Sequence, residues 1–180
     1  WGIMKVSEIF CSIQGEGLFT GIPSLFIRFT GCNLRCSWCD TPGSSWNPVG
    51  EELTIAKLIL KSTDLLEGKD VNHVVLTGGE PFIFSDLPKI VDTFKQMGFT
   101  VTIETSGTVY RETSADLISL SPKLLNSIPD EAEFPVEYKM HTKSRLNLEV
   151  LNSFVEKSID IQFKFVVETS SDLFEIESIL

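Results

Sequence analysis

The sequence predicts an α/β protein, built as an incomplete TIM-like barrel of about six mainly parallel strands. Three observations predict it. Short apolar runs alternate with stretches of helical spacing, the pattern of a parallel sheet with right-handed crossovers. A full eight-unit barrel takes about 250 residues, and the chain has 180. The segments loaded with Cys, Gly, Pro and Lys follow predicted strands, and ligands of such sheets sit at the strands' carboxyl ends.

The elements follow in order. Residues 4–12 read as a strand, closed by turn chemistry at Gln14-Gly15-Glu16-Gly17. Residues 24–29, SLFIRF, are a short buried strand. Residues 30–50 mix Cys, Gly, Pro, Ser and Trp without a period and form a loop. Residues 54–66 show helical spacing, with Thr54 as N-cap. Residues 73–77 are a strand closed by Gly78-Gly79. A helix spans 86–97, capped by Ser85 and ended by Gly98. Strands at 100–104 and 117–120 follow, then a helix at 145–157, a strand at 160–167 and a helix from Ser171 onward. There is no internal repeat or low-complexity tract. Length predicts a single domain over residues 1–180. The chain stops at Leu180 inside a helical pattern, so the natural protein is expected to continue. Trp1, Gly2 and Ile3 read as an expression scar before Met4.

Apolar residues make up 42% and charged residues 22%. That is ordinary globular composition, and a chain of this length buries roughly 70% of its unfolded surface without a metal or disulfide. Fifteen basic against 25 acidic side chains give a net charge of −10. This argues against a broad nucleic-acid-binding face. No run approaches the roughly 18 apolar residues that cross a bilayer, and the N-terminus has no signal-peptide pattern. No nucleic acid or membrane partner is expected, and the expected location is cytoplasmic.

Three of the four cysteines, Cys32, Cys36 and Cys39, lie within eight positions. In a cytoplasmic chain such clustering reads as a metal or redox site. Three thiolates hold three irons of a cubane and leave the fourth open to an exogenous ligand, whereas electron-transfer cubanes use four cysteines. The alternative is structural zinc, which needs His73 or Cys11 as a fourth ligand. His73 has apolar neighbours and reads as a core or edge histidine; Cys11 reads as a small apolar filler.

The spacing C-x-x-x-C-x-x-C, with the aromatic Trp38 before the third cysteine, resembles the signature of the radical S-adenosylmethionine (SAM) enzymes. Thr77-Gly78-Gly79-Glu80-Pro81 after a strand resembles the GGEP motif of that superfamily. Further residues narrow the resemblance to 7-carboxy-7-deazaguanine synthases: Phe10 to Gly17, Gly21-Ile22-Pro23, Phe26-Ile27-Arg28, Gly31 to Thr41, Glu104-Thr105-Ser106-Gly107-Thr108, Ser121-Pro122-Lys123 and Phe163 to Val167. It runs from about residue 5 to 167.

The resemblance implies a radical SAM core and a carbon–nitrogen lyase of queuosine biosynthesis, a tRNA modification pathway. Its members convert 6-carboxy-5,6,7,8-tetrahydropterin to 7-carboxy-7-deazaguanine with loss of ammonia. It implies that Cys32, Cys36 and Cys39 ligate a [4Fe-4S] cluster whose open iron takes SAM. Trp38, Cys39 and Asp40 would flank SAM, with Gly79 and Glu80 at its methionine end and Ser121, Pro122 and Lys123 at its ribose and carboxylate side. The glycines would let backbone approach the ligand, and the Glu80 carboxylate would meet its ammonium. Ile13, Gln14, Gly15, Glu16, Arg28 and Thr77 would contact the pterin, Arg28 taking its carboxylate. Thr41 would hold Mg2+ when substrate is present, because one hydroxyl is a poor magnesium site alone. An electron donor such as flavodoxin or ferredoxin and a homodimer are also implied. A neighbouring reading is another radical SAM enzyme, such as a glycyl-radical enzyme activase.

Taken singly, these residues have plainer readings. Residues 14–17 suit a solvated turn, Arg28 a solvated strand face and Lys123 an exposed loop. Ser106 stands where the family often has asparagine. His141 falls in a polar loop and receives no role.

Overall fold

The computed structural model describes residues 3–180; Trp1 and Gly2, two of the three residues read as a scar, lie outside the described residues. The chain forms β1 (Met4–Ile13), β2 (Pro23–Phe29), β3 (Glu51–Leu53), α1 (Ile55–Leu66), β4 (His73–Gly78) and α2 (Leu87–Gln96). It continues with β5 (Thr100–Thr105), β6 (Leu117–Leu120), α3 (Pro135–Ser144), α4 (Leu148–Lys157), β7 (Ile161–Phe163) and α5 (Asp172–Ile179).

One seven-stranded sheet runs β3-β1-β2-β4-β5-β6-β7. From β2 to β7 every pairing is parallel, while β1 runs antiparallel to both its neighbours. The sheet is open, with β3 and β7 at its edges, so the incomplete barrel predicted from length is what forms.

Strand alternation sorts the side chains. On one face Leu25, Ile27, Val74, Leu76, Val101, Ile103, Ile118 and Leu120 are fully or almost fully buried. They join Leu58 of α1, Ile90 and Phe94 of α2, and Leu151 and Phe154 of α4 in one core. Complete burial of Phe94 or Phe154 contributes about 2–3 kcal/mol each. The opposite face carries polar side chains, and the site is built there.

Most predicted elements stand, with five differences. Strand β3 adds an edge strand, beyond the six expected; it is only three residues long and pairs Met4 with Leu53. Helix α3 stands where a polar loop is expected, because it buries only His141 and so writes no apolar stripe. Helix α4 starts at Leu148 rather than at 145, because Arg145 closes α3 and Asn147 caps α4 through its Oδ1 to the Glu149 and Val150 amides. The last strand is shorter than 160–167, ending at Phe163. The cap of α1 is as read, Thr54 Oγ1 accepting from Lys57 N at 3.3 Å. Helix α2 is preceded by Asp86 rather than Ser85 and is followed by Gly98 at φ +89°, a left-handed turn that glycine takes without strain.

Candidate active site

A cavity of about 380 Å3 opens at the carboxyl ends of the parallel strands. Three loops border it: the cysteine loop after β2, the Gly78-Gly79 turn after β4, and residues 121–123 after β6. Cys32, Cys36 and Cys39 all line it, as do Trp38, Asp40 and Thr41. So do Gln14, Gly15, Glu16, Arg28, Thr77, Gly79, Ser121 and Lys123. Three predicted residues are not on its wall. Ile13 is 63% exposed, Glu80 is completely buried, and Pro122 lies buried behind its neighbours.

The floor comes from strand alternation. Arg28 of β2 pairs in register with Thr77 of β4, and Glu104 of β5 with Ser119 of β6. Thr77 Oγ1 donates to Glu104 Oε2 at 2.7 Å, and Gln14 Nε2 donates to Glu104 Oε1 at 3.1 Å. Arg28 Nε meets Glu8 Oε2 at 2.9 Å. Glu16 pairs with Lys164, which reaches the wall from beyond β7. The sequence reading gave Glu104 and Lys164 no role. For Glu104 the signal was the period of two, which puts Arg28, Thr77, Glu104 and Ser119 on the face opposite the apolar core; Lys164, beyond the end of β7, had none.

The cysteine loop is anchored at many points. Leu34 N donates to Cys32 Sγ at 3.4 Å, and Trp46 Nε1 to the Cys36 carbonyl at 3.0 Å. Trp38 Nε1 donates to Asn126 Oδ1 at 3.2 Å, and Lys123 Nζ lies 5.7 Å over the Trp38 ring. Lys123 also donates to the Ser121 carbonyl and hydroxyl, both at 2.8 Å, and burial lowers its pKa. Burial pushes the Cys32 thiol up to about 12 and the Cys36 thiol up to about 11. Both are protonated at neutral pH until a metal takes the proton's place.

The donor set fits an iron–sulfur cubane. Three thiols face one cavity, each able to serve a different iron. Among the described residues no three Cys, His, Asp or Glu side chains gather about a single-ion position. Neither fourth zinc ligand considered from the sequence, His73 or Cys11, is at hand. Both His73 nitrogens are engaged, Nδ1 with Ser24 Oγ at 2.7 Å and Nε2 with Thr102 Oγ1 at 2.8 Å. Cys11 stays on β1 and packs against the core, away from the cavity wall.

The glycine motif lines the cavity through Gly79 and also braces the cysteine loop. Gly79 N donates to the Phe29 carbonyl at 3.1 Å, and Glu80 N to the Gly31 carbonyl at 2.9 Å. The close approach that the glycines permit is to the start of the cysteine loop. The Glu80 carboxylate does not reach the cavity to meet an ammonium. Its Oε1 accepts from Thr105 Oγ1 at 2.7 Å and Phe82 N at 3.1 Å; its Oε2 accepts from Ser106 N at 2.9 Å and Ser106 Oγ at 2.5 Å. Ser106 Oγ continues to Thr108 Oγ1 at 3.0 Å, and Thr108 to Asn33 of the cysteine loop. Glu80 thus locks the two motifs together.

Two histidines are buried, His73 at the start of β4 and His141 on α3. Burial lowers the pKa of His73, against the nearby Asp116 charge. Burial, with Arg145 and Lys123 close by, lowers that of His141 to about 4. Below about pH 6.5 the unfolded chain therefore binds more protons than the folded one, so stability falls as pH drops and the loss levels off near the folded pKa. Unfolding free energies from urea titration at about pH 7.5 and about pH 5 are expected to differ by about 2 kcal/mol or more. Equal values would mean that these histidines are charged in the fold.

The radical SAM superfamily model matches residues 26–160. A 7-carboxy-7-deazaguanine synthase of Rhodopirellula baltica is 45% identical, over 98% of this chain and 67% of that protein. One of Halobacterium salinarum is 38% identical, over 98% of this chain and 69% of that protein. The chain thus spans about two thirds of the length of these relatives. The crystal structure of QueE from Escherichia coli superposes with a TM-score of 0.75 at 28% identity, covering 99% of this chain and 76% of that one. Three thiols on one strand-end cavity, the glycine turn locked beneath them and this similarity over nearly the whole chain lead to one conclusion: the chain belongs to the radical SAM superfamily and, within it, to the 7-carboxy-7-deazaguanine synthase family.

Proposed function

We propose that this chain contracts the ring of 6-carboxy-5,6,7,8-tetrahydropterin to 7-carboxy-7-deazaguanine with release of ammonia, the lyase step of queuosine biosynthesis. The observation that carries the reading is the pairing of two walls: thiols of the cysteine loop on one side, and the polar floor of Arg28, Thr77 and Glu104 on the other. When bound and reduced, the cluster would supply the electron for reductive cleavage of SAM. Cys32, Cys36 and Cys39 hold that cluster. Trp38 and Asp40 flank SAM, with Gly79 at one end and Ser121 and Lys123 at the other. Gln14, Gly15 and Glu16 close over the pterin, whose edge offers both donors and acceptors. Glu104 is an acceptor on that floor already oriented by Thr77 and Gln14. Arg28 presents its planar fork to the substrate carboxylate, exchanging its half-exposed Glu8 partner for it. Thr41 contributes its hydroxyl to Mg2+, with substrate and waters completing the shell. A flavodoxin or ferredoxin as electron donor, a homodimer and a cytoplasmic setting complete the proposal. No helix among the described residues is long and apolar enough to cross a membrane.

The test is anaerobic reconstitution, then SAM cleavage with and without the carboxytetrahydropterin and Mg2+. Product formation that depends on pterin is expected, with Cys36→Ala losing it entirely. Cleavage that ignores pterin would move the reading to another radical SAM reaction, such as activation of a glycyl-radical enzyme. A colourless protein that binds zinc and leaves SAM intact would overturn both.

A further inference from the structure

We propose that His141 is a positioning residue for the cysteine loop: its Nδ1 holds the amide of Arg35, the residue immediately before Cys36. His141 sits on α3, more than a hundred residues beyond the loop, with no exposed surface. Arg35 N donates to His141 Nδ1 at 3.0 Å. His141 Nε2 stands 2.9 Å from Ser127 Oγ, and that hydroxyl donates to the Leu124 carbonyl at 2.6 Å. One proton arrangement satisfies every group. Nδ1 accepts from the amide, Nε2 carries the ring proton and gives it to Ser127, and Ser127 gives its own to Leu124.

The same support reaches the other side of Cys36. Ser37 N donates to the Ser127 carbonyl at 2.9 Å. The amides of both neighbours of Cys36, Arg35 and Ser37, are therefore tied to one buried unit of His141 and Ser127. Arg35 also braces the loop from within, its guanidinium donating to the Cys32 and Leu34 carbonyls at 2.8 Å and 2.7 Å. A loop fixed before the metal arrives does not lose its backbone freedom on binding, so thiols placed this way take a cluster more tightly. The role is one of placement. His141 is not on the cavity wall and touches neither cofactor nor substrate.

The inference rests on Cys32, Cys36 and Cys39 being the cluster ligands, and its test separates the two. In 15N-labelled protein without metal, the His141 ring is expected in the form protonated at Nε2, and the Arg35 amide is expected to be protected. A ring protonated at Nδ1, or an Arg35 amide that exchanges like an exposed loop amide, overturns the inference without any variant. His141→Asn keeps an acceptor close to where Nδ1 stands. His141→Gln puts its amide at the Nε2 end, and His141→Leu fills the space with neither. Arg35 exchange is expected to rise roughly tenfold in the Gln and Leu variants. Their iron per chain after anaerobic reconstitution is expected to fall at least about twofold. The Asn variant should match the parent protein in both. A folded Gln or Leu variant with parental exchange and iron content overturns the role, and so does an Asn variant as impaired as Leu. A parent protein that takes up no iron would instead overturn the cluster reading, leaving the ring and amide measurements to stand alone.

Discussion

Gly79→Ala is expected to destabilise the protein by about 3 kcal/mol or more and to prevent iron incorporation. A Cβ on Gly79 would stand 2.1 Å from the Gly31 carbonyl oxygen and 2.6 Å from that of Ser44. Both are backbone atoms and neither can rotate away. The neighbouring Gly78, at φ +134°, is as tightly held, with the Phe29 carbonyl oxygen 2.1 Å from its own would-be Cβ. An alanine therefore has to push the cysteine loop off the β4 turn, breaking the Gly79–Phe29 and Glu80–Gly31 hydrogen bonds. Gly15→Ala serves as the stability control, because its Cβ would meet nothing within 4 Å. Urea midpoints and iron per chain measure the difference. A Gly79→Ala protein as stable as Gly15→Ala would mean that the two motifs are not packed as described.

Glu80→Ala is expected to cost about 3 kcal/mol, again through structure rather than through lost ligand contact. It strands four donors that now end on one carboxylate: Thr105 Oγ1, Phe82 N, Ser106 N and Ser106 Oγ. Glu80→Gln retains one oxygen but turns an NH2 toward donors, so about 1–2 kcal/mol is expected. Thermal or urea unfolding of the metal-free protein measures both. Parental stability in both variants, joined to weakened SAM binding, would instead restore the view that the carboxylate meets the ligand's ammonium.

Much of the site was legible because its chemistry is local. Cys32, Cys36 and Cys39 with Trp38 state a donor set by spacing alone. Strand–loop order alone put Gly79, Ser121 and Lys123 at the same end of the sheet, where the structure has them lining one cavity. Glu80 was read with the motif, but its burial could not be. Whether a carboxylate faces a cavity or folds under it depends on where Thr105 and Ser106 lie, and those stand at the end of the next strand and just past it. Ile13 and Pro122 stand beside wall residues in the chain, but Ile13 ends β1 exposed and Pro122 is buried in the loop beyond β6. Glu104 and Lys164 are the converse case. Glu104 joins the wall through register across the sheet, and Lys164 comes to it from beyond the end of β7.

Helix α3 and His141 mark the limit most clearly. A helix that buries a single side chain leaves no periodic trace, and a histidine among polar residues looks solvated. Only the docking of α3 against the cysteine loop turned that histidine into a buried acceptor with both nitrogens engaged. By itself, then, the sequence determined the alternation of strands and helices, the open sheet and the three-thiol donor set, because periodicity and spacing are properties of neighbouring residues. Only the tertiary structure decided which polar groups face the cavity and which are spent holding its loops, because a buried polar group takes its role from partners brought to it by other elements of the fold.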